Sequence, residues 1–154
     1  MKKLLILLLL TATLSACNNQ EHSENKAAFD QSEANDHHGT PAEKLVLNNG
    51  AKWKVDVATN NNVKYLQVIL KQFNNGNDHS LPAFKKIHER LQQGIDKMIV
   101  ECKMTGPDHE ALHKWLEPLI ALVAQLKQAS TVPEAASALK AIDSQANLYN
   151  QYFE

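Results

Sequence analysis

From residue 63 onward, apolar residues recur at alternating steps of three and four, a pattern that few folds accept. Val63, Leu66, Leu70 and Phe73 step 3, 4, 3, and Phe84, His88, Leu91, Ile95, Met98 and Cys102 step 4, 3, 4, 3, 4. His109, Leu112, Leu116, Leu119, Val123 and Leu126 follow at 3, 4, 3, 4, 3, then Ala135, Leu139, Ile142, Ala146, Tyr149 and Phe153 at 4, 3, 4, 3, 4. Each run is one face of a helix. Four amphipathic helices with short connections bury such stripes most readily against one another, which predicts an all-α, antiparallel up-down four-helix bundle.

Local signals mark where these helices begin and stop. Asn74-Asn75-Gly76 ends the first, Ser80 is placed to cap the second, and Thr131-Val132-Pro133-Glu134 before the fourth has the form of a capping box. Pro118 inside the third removes a backbone hydrogen bond and crowds the carbonyl of Lys114, so a kink is expected near residues 114–118. Gly94 either weakens the second helix or admits a close neighbour. Ahead of the helices, the run Leu45 to Asp56 alternates apolar and polar residues about Asn49-Gly50, a strong signal for a short β-hairpin. Leu45, Leu47, Trp53 and Val55 would be its inward or cross-strand residues, and two strands alone need something to pack on.

The first residues fix the compartment. Met1-Lys2-Lys3 is a positive start, Leu4 to Leu10 an apolar run too short to span a bilayer, and Leu14-Ser15-Ala16-Cys17 places small residues before a cysteine. This stretch resembles the bacterial lipoprotein signal, which implies cleavage after residue 16 and a lipid on Cys17. The expected organisation is a signal peptide at 1–16, a lipid-anchored tether at 17–43, and a domain of hairpin plus bundle at 44–154. Residues 18–43 are mostly polar, with Phe29 the lone large apolar side chain, and such a composition cannot offset the entropy of ordering. His22 and Asp36-His37-His38 could collect metal ions weakly there, or serve simply as polar linker residues. Asn18 follows Cys17 where an Asp would favour retention at the inner membrane, so the outer membrane is the expected address.

Of 16 basic residues, Lys2 and Lys3 leave with the signal, and 14 then face 17 acidic ones. No basic patch remains to neutralise a run of phosphates, so nucleic acid is not an expected partner. Expected partners are the membrane, through the anchor, and an envelope or metal-transfer protein.

With Cys17 lipidated, Cys102 is the remaining cysteine of an exported chain, where unpaired thiols are uncommon. It is either a small buried hydrophobe or a metal ligand. It opens the stretch Cys102-x-Met104-x-Gly106-x-x-His109-x-x-x-His113, which follows Met98 at one helical turn. An antiparallel hairpin centred near residue 105 would set Cys102 beside His109 and Met98 beside His113, gathering Met98, Cys102, Met104, His109 and His113 at one end of the bundle. Thiol and thioether sulfur suit copper(I), with zinc second through the imidazoles. The stretch resembles a motif of small exported helical lipoproteins across about residues 45–152, and that resemblance implies no established activity. Packing is the competing account, since His88 also lies on an apolar stripe, about 21 Å along its helix from Cys102. On that account the chain is a structural or protein-interaction lipoprotein.

His109-Glu110-Ala111-Leu112-His113 also reads as the H-E-x-x-H of zinc peptidases, in which two His hold zinc and the Glu activates its water. Here Pro107 and Asp108 put the motif at a helix start, Lys114 follows the second His, and no H-x-x-G-x-x-H continuation exists. A coincidence of helix-start residues accounts for it better, and no catalytic residue is expected. Haem held by Met98 with His113, or by His88, finds no C-x-x-C-H for attachment.

Overall fold

A computed structural model of the protein describes residues 44–154. The signal, Cys17, the expected tether and its histidines at 22, 37 and 38 lie outside the described residues. Within them the chain forms four helices, α1 (Val57–Asn74), α2 (Leu81–Glu101), α3 (Gly106–Gln128) and α4 (Val132–Tyr152). Each helix packs on the next, α1 most extensively on α2 and α3 on α4, while α4 returns to α1. That adjacency is consistent with an up-down bundle.

The helix starts follow the chemistry of their caps. Ser80 accepts the amide of Ala83, and Thr131 and Glu134 form a reciprocal capping box at α4. Asp56 caps α1 by accepting the Thr59 amide at 2.6 Å. α3 runs through Pro118 as one helix. Gly94 is where α1 comes closest to α2, because a Cβ there would lie 2.6 Å from the Leu66 Cδ2 atom.

The buried core joins one face from every helix: Val63, Leu66 and Leu70, then Leu91 and Ile95, then Leu112, Leu119 and Val123, then Ile142 and Ala146. Trp115 is completely buried among them. Its indole N–H donates to the Gln145 carbonyl at 2.8 Å, and the Gln145 amide donates back to the Trp115 carbonyl at 2.8 Å, tying α3 to α4. Tyr149 and Phe153 pack against the indole, with ring centroids 5.1 and 6.4 Å away.

The two-stranded hairpin expected across Leu45–Asp56 is corrected by the structure. The turn itself is present, with Asn49 and Gly50 both at positive φ, the pairing that a two-residue turn of this hand requires. Asn48 and Ala51 exchange backbone hydrogen bonds of 2.9 Å, and the pairing stops there. The arm beyond the turn pairs instead with the C-terminus: the Trp53 amide donates to the Tyr152 carbonyl at 2.8 Å, the Glu154 amide to the Trp53 carbonyl at 3.0 Å, and the Val55 amide to the Glu154 carbonyl at 3.1 Å. A lone hairpin leaves its outer backbone groups to water, whereas this parallel bridge satisfies them against the bundle. The Trp53 indole donates to the Val46 carbonyl at 2.6 Å, and Leu45 is buried in the core. Segment 45–56 is thus a clasp on the last residues of α4.

Candidate functional site

The C-terminus of α2, the connection 102–105 and the first turns of α3 carry the sulfur and imidazole donors. Asp56 fastens this corner. One carboxylate oxygen caps α1 and the other accepts the Lys103 amide at 2.8 Å, so the start of α1 is bonded to the α2–α3 connection. Burial opposes the charge on Asp56, but the amides of Lys103 and Thr59 outweigh it and hold the carboxyl below its ordinary range. Asp108, in the first turn of α3, accepts the Lys54 amide at 3.1 Å and ties the clasp to the same corner. Glu101 closes it from α2, accepting from the Asn62 side chain at 2.8 Å and pairing with Lys97 at 3.2 Å. Asn62 is a buried polar residue whose amide is satisfied on both sides, since Lys97 donates to its carbonyl oxygen at 3.3 Å. Gly106, at positive φ, lets the chain turn from this corner into α3.

The five expected donors occupy different environments. Met98 is 1% exposed and belongs to the core. Cys102 is a half-buried free thiol that packs, like Met104, against the edge of that core. His109 is half-buried on α3, whereas the His113 side chain is 52% exposed and stands 3.7 Å from the Glu117 carboxylate. The two imidazoles meet edge-on, with centroids 4.6 Å apart. Among the described residues no three His, Cys, Asp or Glu side chains stand together as metal ligands would. His113 follows Leu112 by one residue, about 100° round the helix, which turns its ring toward water while Leu112 and Trp115 take the core.

Sequence reasoning missed Asp56, Asp108 and Asn62, the polar residues that shape this corner. Asp56 had a local signal, a carboxylate immediately before the first helical turn. The partners of Asp108 and Asn62 lie on other segments and leave no local trace.

His88 sits elsewhere on α2. Its Nε2 is buried without a hydrogen-bond partner, and burial first, then nearby Lys127, lowers its pKa from the ordinary 6.5. A depressed histidine means that the unfolded chain binds the proton more readily. Stability is accordingly complete above about pH 6.5 and falls as the pH drops from there toward the folded-state value. The carboxylates with lowered pKa, Asp56 and Glu101 among them, titrate below this window. Urea midpoints measured between pH 7.5 and 5.5 should fall for the wild type and stay nearly level for His88→Leu, which also replaces an unpaired buried nitrogen by an apolar group. Equal slopes in the two proteins would refute this assignment.

No helix among the described residues is long and apolar enough to cross a membrane. A groove between α3 and α4 is lined by Ala121, Ala124, Ala138 and Ala141, well away from the sulfur–imidazole corner. Residues 1–18 match the model of the prokaryotic membrane lipoprotein lipid attachment site. No curated protein and no solved structure matches the chain.

Proposed function

We propose that this lipid-anchored, exported protein of the cell envelope works by holding a helical bundle against another envelope protein, with no enzymatic step of its own. The lipid attachment site at residues 1–18, placed upstream of the bundle, carries the reading: it puts the domain at a membrane surface. Asn18 after the lipidated cysteine favours the outer membrane. Tyr65 and Val68, about one turn apart on α1, remain exposed and supply an apolar contact outside the core.

Two measurements test the proposal. Cys17→Ala should move nearly all of the protein from the membrane fraction to the soluble fraction without altering the bundle, as read by circular dichroism. A photo-crosslinking amino acid at Tyr65 or Val68 should give the same discrete protein adduct in intact cells, and one at Lys140 on α4 should not. No adduct at either α1 position would overturn the interaction reading.

The touching rings of His109 and His113 favour a second reading, in which copper(I), or failing that zinc, is held by this pair with sulfur from Cys102 or Met104 and is passed to an envelope protein. Anaerobic titration of the mature protein with copper(I) under a competing chelator should then show near-stoichiometric binding that Cys102→Ser or His109→Ala weakens by about tenfold or more. Equally weak binding by all three proteins removes this reading.

A further inference from the structure

We infer that the end of the bundle where the described chain begins rests directly on the bilayer, an inference that builds on the membrane-anchored reading above. Eight large apolar side chains are exposed among the described residues. Five of them, Val46, Leu47, Val57, Ile99 and Val100, belong to this end: the clasp, the first turn of α1 and the last turn of α2. Val57 and Val100 are each 75% exposed. Asp56 joins their two helix ends through its bonds to Thr59 and Lys103, and the clasp is held beside them by Asp108. The end is therefore a rigid apolar surface.

Its position in the chain identifies what covers it. Lys44, the first described residue, enters at this end, and residues 18–43 lead from it to the lipid attachment site. At about 3.5 Å per residue that link cannot exceed roughly 90 Å. The bilayer is thus always present at high effective concentration, and a modest apolar contact suffices to dock. Charge contributes little, because Lys52, Lys54 and Lys103 stand among Asp56, Asp108 and Glu154, and Lys54 is already paired with Glu154. The contact is made by side chains entering the interface, and anionic headgroups are not required. It points the α1–α2 and α3–α4 connections away from the membrane, where a partner could reach them.

The test uses the mature, lipidated chain in vesicles of phosphatidylethanolamine and phosphatidylglycerol that carry a phospholipid with a diazirine in its acyl chain. After irradiation, lipid adducts mapped by mass spectrometry should fall on the peptides bearing Val46–Leu47, Val57 and Ile99–Val100. They should exceed those on the Tyr65, Val68 and Val132 peptides by about tenfold, in low and in high salt. Val57→Asp combined with Val100→Gln changes only exposed positions, and should lower the adduct yield by a similar factor with helix content unchanged. Even labelling over the bundle, absence of labelling at this end, or loss of labelling in salt would overturn the docking while the acyl group found on the Cys17 peptide still upheld anchoring. A Cys17 peptide without an acyl group would overturn both.

Discussion

Trp115→Ala should cost about 3–5 kcal/mol, the largest loss expected from any single truncation in the bundle. The indole is fully buried, and its removal does three things at once. It opens a cavity between α3 and α4, it leaves the Gln145 carbonyl without the 2.8 Å donor it now has, and it withdraws the surface on which Tyr149 and Phe153 pack. Phe153 is the residue bridged to Trp53, so the cavity also undermines the clasp. With a urea slope of about 1–3 kcal/mol per molar for a domain of this size, the unfolding midpoint should fall by about 2 M. Trp115→Phe keeps the ring but not the donor and should recover a good part of that loss. A loss below about 1 kcal/mol for the alanine variant would mean that the core collapses around the site, and that the indole is not what binds α3 to α4.

Trp115 also shows where sequence reading stops. Steps of three and four identified the helices, and most stripe residues are buried, from Val63 to Tyr149. The caps at Ser80 and Thr131 were equally legible because a cap is a local hydrogen bond between residues three apart. Trp115 lies off the stripe drawn through Leu112 and Leu116, yet it is buried more deeply than Leu116. A helix in a bundle meets neighbours on two sides, so its buried face is wider than a single seam. Ile69 and Ile87 are buried for the same reason. The second arm of the expected hairpin bonds across about a hundred residues to Phe153, a pairing no local pattern encodes. At the candidate site the donor types were legible and their gathering was not. Periodicity places His109 above His113 on one helix, but how Met98 and Cys102 meet them depends on the rotation and register of α2 against α3, which packing sets.

Gly94 governs that packing on the opposite side of α2. In an isolated helix, Gly94→Ala would gain about 1 kcal/mol from propensity alone. Here the added Cβ would lie 2.6 Å from Leu66 Cδ2 and 3.3 Å from two ring atoms of Tyr65. Leu66 is buried in the core, so its methyl group has little space to yield, and overpacking of this kind costs about 1–3 kcal/mol. The alanine variant should therefore be destabilised by about 1 kcal/mol, the two effects partly cancelling. Gly94→Leu cannot be absorbed by a small shift and should cost about 3 kcal/mol or more by forcing α1 from α2. That separation would also strain the Asn62–Glu101 hydrogen bond about two turns away, and with it the corner that Asp56 fastens. Hydrogen exchange should accordingly quicken at Thr59 and Lys103, whose amides are the ones Asp56 accepts, before it quickens in α4. If Gly94→Ala proves more stable than the wild type, Leu66 and Tyr65 can move aside, and the close approach of the two helices is not a constraint on the fold.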